Sequence, residues 1–359
     1  MNNLVIICAI LLLVLLFLKV PVYIAVLSAS AVYFIGTPGM NLSIFAQKTI
    51  SGAEGLSLLA IPFFVCAGIF MNYTGVTKRI MNCCEVLTAR MPGGLAQVNI
   101  LLSTLMGGLS GSSLADAAMQ CKMLVPTMES KGYSKSFSTV ITAASGMVVP
   151  LIPPGVGLII YGCINNISIG KLFIAGIGPG IVLCVTLMIF THFLSKKRGY
   201  LPSRTTKIPV SEKIAAVRPA FLPLLLPIII IGGVRIGVFT ASEAGTVAIV
   251  YAVLLGLLYK ELTLKNVMQG CKETVTTTAS IMLIVAAATC FSWILTKEQI
   301  PQQFSQWMIS NIHNKYVFLI MVNIFLLIVG MFIEGNASMI VLAPLLHPVA
   351  MAYGIDDIH

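Results

Sequence analysis

The sequence predicts an all-α polytopic membrane protein built from two related halves, with re-entrant hairpins and broken helices among its spans. Three observations predict it: scarce charge, helix-length apolar runs interrupted at two polar places, and a motif that recurs 222 residues later. Only 22 Lys and Arg and 12 Asp and Glu occur in 359 residues, 9% of the chain against roughly 25% in soluble domains. With 58% hydrophobic residues and a mean hydropathy of +0.98, neither a soluble globule nor a disordered or fibrous chain fits.

The net charge of +10 does not point to nucleic acid. Seven basic residues, Lys196, Lys197, Arg198, Arg204, Lys207, Lys213 and Arg218, crowd into 23 positions opposed only by Glu212. Between apolar runs, that is a cytoplasmic connection under the positive-inside rule. Nine Cys include no C-x-x-C and mostly lie in apolar runs as small packing groups, and four His lack metal-ligand spacing. The first 18 residues have no basic start and no small-residue cleavage site before Lys19, so they read as a retained helix.

Charge-free gaps at 1–18, 20–47, 55–77, 91–115, 136–170, 172–195, 219–234, 244–259, 274–296, 316–333 and 335–355 mostly suit one helix of ~20 residues each. Semi-polar stretches at 78–90, 261–272 and 301–314 suit helices lying along the interface. Two places do not suit straight spans. The gap 136–170 holds 35 residues, ~52 Å if helical, against a hydrocarbon core of ~30 Å. Pro150, Pro153, Pro154, Gly155 and Gly157 break it in the middle and free backbone carbonyls. The other misfit is a pair of short legs, 95–106 and 114–128, around Gly107-Gly-Leu-Ser-Gly-Ser-Ser113. It reads as a re-entrant hairpin, because non-helical backbone at membrane depth must be buried or line a cavity.

Pro126 to Gly132 and Pro348 to Gly354 share P-x5-G spacing. The same offset sets Ser112 opposite Glu334 and Asp116 opposite Ser338, making 334–338 a second polar tip. Similar offsets pair 19–34 with 235–250 and Val76 with Ile300. The domains are therefore read as a first repeat at 1–205, with its hairpin near 94–130 and broken helix near 136–165, a cytoplasmic basic linker at 206–218, and a second repeat at 219–359. Counterparts of 150–157 would fall at 372–379, so the second repeat reads as truncated within or just after its hairpin, a shortened product or an incomplete sequence.

In Leu59-Ala-Ile-Pro-Phe-Phe-Val-Cys-Ala-Gly68, Gly111-Ser-Ser-Leu-Ala-Asp116, Pro126 to Tyr133, Ile152-Pro-Pro154, Ser168-Ile-Gly-Lys-Leu-Phe173, Thr240-Ala-Ser-Glu-Ala244 and Phe332-Ile-Glu334, the chain resembles the large membrane subunit of tripartite ATP-independent periplasmic (TRAP) transporters. The order and spacing of these motifs carry the resemblance along the whole sequence. It implies two inverted repeats in an elevator-type ion-transporter fold of the bacterial inner membrane. The subunit would import organic anions, C4-dicarboxylates, other carboxylates or acidic sugars, with Na⁺ as coupling ion and no other cofactor. Its partners would be a small membrane subunit and a periplasmic solute-binding protein. Repeat symmetry with discontinuous helices, carbonyls for Na⁺ and helix N-termini for carboxylates support the same reading on physical grounds.

The resemblance places ion ligands at Ser110, Ser112 and Ser113 and at the backbone of Gly146, Val149 and Pro150, with Glu334 and Asn336 as second-half candidates. Ser113, Asp116, Pro153, Pro154 and Arg235 are the substrate-binding candidates. Family members often have Gly in place of Val149 and Ser in place of Gly155, which removes a hydroxyl here while leaving carbonyl ligation possible. Each candidate has a plainer reading. Membrane serines often serve close packing. Asp116 reads equally as an N-cap of its leg, Glu243 as a partner of Arg235, and Lys122 as a snorkelling side chain. Arg235 is favoured by an expected break at Gly232-Gly233.

Gly108-Leu-Ser-Gly111 matches the G-x-S-G of rhomboid-like intramembrane proteases, but the A-H-x-x-G context is absent around His192 and His347. No G-x-x-x-x-G-K-[ST] occurs, so an ATP-driven pump lacks support and no catalytic residue is assigned. A binding-protein-independent dicarboxylate carrier is the main alternative, and a passive channel the third.

Overall fold

The computed structural model describes residues 3–204, 206 and 208–359, and among them it is helical with no strand. Lys207 of the basic stretch and the first two residues of the first expected helix lie outside the described residues. The helices are α1 (Asn3–Phe17), α2 (Val22–Gly36), α3 (Leu42–Ser51), α4 (Ala60–Tyr73), α5 (Val76–Thr88), α6 (Gly94–Ser110), α7 (Ser113–Ser130), α8 (Lys135–Gly146), α9 (Val156–Asn165) and α10 (Ile169–Lys197). They continue with α11 (Val210–Ile236), α12 (Ala241–Leu258), α13 (Leu264–Lys297), α14 (Ile300–Asn311), α15 (Lys315–Gly330) and α16 (Gly335–Ala352). By length and composition, six helices among the described residues can cross a membrane, or seven if the bent pair α8–α9 is one span. The chain is a multi-pass membrane protein.

The broken helix forms where the prolines predict it. α8 ends at Gly146, a 3-10 turn covers Val149–Leu151, and α9 resumes at Val156 with the axis bent by 45°. The hairpin also forms, but its tip is tighter than expected. Gly107 and Gly108 stay helical, because they serve close packing; only Gly111 (φ 61°) and Ser112 lie between the legs.

Three further expectations give way. Gly232 and Gly233 do not break α11, which runs on to Ile236 and stops at Gly237 (φ 81°). Gly233 instead lies close against the Phe239 ring. The stretch 261–272 is not a separate arm: with no proline between 264 and 297, α13 runs uninterrupted for 34 residues. From Val210 onward the expected linker 206–218 is already the first turns of α11.

The described chain forms two compact units, each drawn from both halves of the sequence. One comprises residues 1–58, 160–167 and 276–359. In it, α1 and α2 pack on the second part of α13 around Tyr33, Phe34, Cys290 and Ile294, and the Tyr33 hydroxyl donates to Glu298. In the same unit Met308, Phe318 and Val349 join α14, α15 and α16, and Tyr353 donates to the Ile312 carbonyl at 2.7 Å.

The other unit, 59–159 with 168–275, carries the hairpin and the break. α6 is its central rod, buried along nearly its whole length and touching α4, α5, α7, α8, α10 and α11. Its polar side chains are absorbed by neighbours. Asn99 Nδ2 donates to Thr142 Oγ1 at 2.6 Å and its Oδ1 accepts from Ser145 Oγ at 2.7 Å, which fastens α8 to α6. At one end of the unit, Tyr200 stacks on Tyr133, with ring centroids 4.4 Å apart, and its hydroxyl meets Ser134. Those hydrogen bonds and nearby Arg198 hold the phenol below its ordinary pKa.

Two helices 222 residues apart have matching local design. α7 and α16 are each 18 residues long and each carries a proline in the same register, Pro126 and Pro348. Each starts on a side-chain cap, Ser112 and Glu334, accepting from the backbone three residues on. Each is followed by a left-handed glycine, Gly132 (φ 86°) and Gly354 (φ 71°).

Candidate functional site

The site grows from what three prolines remove. In a continuous helix the amide of residue i donates to the carbonyl of i−4. Pro150, Pro153 and Pro154 have no amide hydrogen, so the carbonyls four residues earlier, Gly146, Val149 and Pro150, lose their partners. Among the described residues no backbone or side-chain donor reaches these three oxygens outside regular helix. Such carbonyls demand another electropositive partner when they lie away from water. Gly146 and Val149 are buried and Pro150 half-buried.

The hairpin tip packs directly against this freed backbone, and its glycines allow the approach. A Cβ built on Gly107 would lie 3.0 Å from Val149 O, one on Gly108 3.1 Å from Pro153 O, and one on Gly111 3.0 Å from Pro154 O. A Cβ on Gly146 would lie 3.4 Å from Ser113 O, so the end of α8 abuts the start of α7. On the other side Gly68 of α4 lies against Ser110, 2.7 Å from its carbonyl oxygen by the same measure. At Gly155 a Cβ would collide with the Pro150 carbonyl oxygen, so a serine would not fit this backbone.

Four helix ends therefore meet. α6 and α8 arrive with their C-termini, whose unfilled carbonyls carry partial negative charge; α7 and α9 leave with their N-termini, whose free amides carry partial positive charge. The first pair suits a small cation and the second an anion. Within the tip, Ser110 is buried and its Oγ has no hydrogen-bond partner. Ser112 and Ser113 are half-buried. Pro153 and Pro154 are buried beneath the tip, where their carbonyls rather than their rings face Gly108 and Gly111.

The other sequence-derived candidates sit elsewhere. Ser112, not Asp116, caps α7: its Oγ accepts from Ala115 N at 3.4 Å, so the N-cap reading of Asp116 is corrected. The Asp116 side chain turns inward between the legs, 2% exposed, and its Oδ2 accepts from Ser103 Oγ and Gln120 Nε2, each at 2.7 Å. Sequence reasoning missed Ser103 and Gln120; the i, i+4 spacing of Asp116 and Gln120 was the available signal.

Arg235, expected beside a break, is exposed in the last turn of an unbroken α11, where its charge complements the helix end. Among the described residues it makes no ion pair with Glu243, which is exposed and closes a capping box with Thr240. Lys122 is exposed. Glu334 and Asn336 begin α16 in the other compact unit, Glu334 as its exposed N-cap and Asn336 half-buried in its first turn.

Comparison with known proteins gives the same class. The family model described as Tripartite ATP-independent periplasmic transporter, DctM component, matches residues 9–359. The chain is 41% identical to the sialic acid TRAP transporter large permease protein SiaM of Vibrio cholerae, over 96% of this chain and 81% of that one. It is 37% identical to the C4-dicarboxylate TRAP transporter large permease protein DctM of Pseudomonas aeruginosa, over 88% and 73%. Identity to the 2,3-diketo-L-gulonate TRAP transporter large permease protein YiaN of Escherichia coli is 36%, over 94% and 80%. These are transporters, which sets aside the protease reading of Gly108 to Gly111. The chain belongs to the DctM family of tripartite ATP-independent periplasmic transporters.

Proposed function

We propose that this chain is the Na⁺-coupled permease subunit that imports an organic anion handed over by a periplasmic solute-binding protein, together with a small membrane subunit. The convergence of uncapped carbonyls and helix ends at the hairpin tip carries the reading. Na⁺ would be held by the carbonyls of Gly146, Val149 and Pro150 with Ser110 Oγ and the Ser112–Ser113 segment. These residues fit the ion, since Ser110 Oγ is buried and unpartnered and hard oxygen donors suit an alkali cation.

A substrate carboxylate would lie at the N-terminal ends of α7 and α9, near Ser113 and the Pro153–Pro154 backbone. Bound Na⁺ beside it supplies the charge that Arg235, exposed at the far end of its helix, is not placed to supply. A carboxylate-bearing substrate agrees with the acids named for the relatives. The equal lengths, proline registers and caps of α7 and α16 support a second, related tip that uses Glu334 and Asn336. That likeness supports an inverted-repeat arrangement with elevator-like movement.

Uptake into proteoliposomes tests the reading. With the small subunit and cognate binding protein present, uptake should require an inward Na⁺ gradient and stop without the binding protein. Uptake that ignores the Na⁺ gradient, or proceeds equally without the binding protein, would contradict it.

A further inference from the structure

Between the hairpin legs, Ser103, Asp116 and Gln120 form a closed triangle that the tip site does not use. Ser103 Oγ donates to Asp116 Oδ2 at 2.7 Å. Gln120 Nε2 donates to Asp116 Oδ2 at 2.7 Å and to Ser103 Oγ at 2.6 Å. That spends every donor the three side chains own, one hydroxyl and two amide hydrogens. Two oxygens remain, Asp116 Oδ1 and Gln120 Oε1, both buried and both without a partner. Gln120 is 0% and Asp116 2% exposed.

The neighbouring helices do not fill them. On α8 the hydroxyls of Thr142 and Ser145 are committed to Asn99 and to backbone carbonyls. Lys122, the nearest cation in sequence on the same helix, is exposed. An ionised carboxylate in this position needs a countercharge, since burying an uncompensated charge is strongly unfavourable. Further hydrogen-bond donors cannot come from the triangle itself, whereas a cation needs none.

We infer that Asp116 Oδ1 and Gln120 Oε1 form a second Na⁺ position inside the hairpin, distinct from the tip. One carboxylate balances a single positive charge, and a carboxylate plus an amide oxygen are hard donors of the kind that alkali cations take. Both ligands lie on α7, and the hydrogen bonds that Ser103 makes with the same two side chains tie them to α6, so occupancy would be coupled to the packing of the two legs. Its role in transport rests on the Na⁺-coupled reading above, but its binding does not.

Equilibrium binding of ²²Na⁺ alone to the permease, assembled with its small subunit in nanodiscs, reads the site without transport. Asp116→Asn keeps the shape and should lose one bound Na⁺ per chain. Gln120→Met, which removes Oε1 at similar size, should weaken that ion about 10-fold or more. Ser110→Ala should affect a different ion, so loss of the tip site and loss of this one are told apart. Infrared difference spectra with and without Na⁺ should show a carboxylate shift that disappears in Asp116→Asn. An unchanged number of ions in Asp116→Asn would overturn the inference. So would a protonated-acid carbonyl band from Asp116 in saturating Na⁺ at neutral pH, since a proton would then occupy the place. Should Asp116→Asn fail to assemble, unchanged Na⁺ affinity in Gln120→Met overturns it alone.

Discussion

Replacing Pro150 by alanine restores one amide hydrogen at a place where the backbone is ready to use it. Met147 (φ −68°, ψ −21°) and Val148 (φ −73°, ψ −32°) keep right-handed helical dihedrals, so an α-helical turn continued through them would bring an amide at position 150 to the Gly146 carbonyl, in place of the i→i−3 bonds that close the turn now. That carbonyl is a proposed Na⁺ ligand, and the new hydrogen bond competes with the ion for it. A net intramolecular hydrogen bond is worth about 1 kcal/mol, or about a fivefold change in an equilibrium constant. Half-saturating Na⁺ for uptake should therefore rise about fivefold in Pro150→Ala, with little loss of folding stability because a helical turn gains its missing bond. Hydrogen exchange reports whether the bond forms. A protected amide at position 150 with an unchanged half-saturating Na⁺ would refute the assignment of Gly146 as a ligand.

Other perturbations separate the tip from its supports. Gly111→Ala meets both a left-handed backbone (φ 61°) and the Pro154 oxygen at 3.0 Å. It should lose about 2–4 kcal/mol of tip packing and most Na⁺-driven uptake, as followed in proteoliposomes. Gly132→Ala is the control, left-handed at φ 86° but with nothing within 4 Å, and should lower the unfolding midpoint slightly while uptake persists. Asn99→Leu removes the link from α6 to Thr142 and Ser145 and should destabilise by about 1–3 kcal/mol, read from thermal unfolding in detergent. Tyr73→Phe removes the hydroxyl that donates to Glu273 at 2.7 Å and should destabilise by about 1 kcal/mol in the same assay, Gln269 remaining as a donor to that carboxylate.

The break in the α8–α9 span was legible because Pro150, Pro153, Pro154, Gly155 and Gly157 fall together there, whereas the more widely spaced prolines of α7, α10, α11 and α16 leave those helices continuous. The hairpin was legible from leg length and a Gly/Ser cluster, but the extent of its tip was not. Glycine permits both a turn and close packing, and only the neighbour decides: Gly111 turns the chain, while Gly107 and Gly108 remain helical against Val149 and Pro153. The same ambiguity defeated the break expected at Gly232-Gly233, where the Phe239 ring fills the space against Gly233. Pattern also could not tell whether 261–272 would end before the following span, since its polar face changes without a breaker. Of the candidate residues, those tied to backbone geometry came together at the break, whereas Arg235 and Glu243 took helix-end roles. Ser103 and Gln120 were out of reach, because their meeting with Asp116 depends on how two legs face each other across the hairpin.

A density map of the assembled permease in Na⁺, set beside one in choline, tests the central claim most directly. An ion-sized peak among the carbonyls of Gly146, Val149 and Pro150 and the Ser110 hydroxyl, present only in Na⁺, is the predicted result. A transport-competent sample with no such peak in Na⁺, or with unbroken helix through 147–155, would contradict the account.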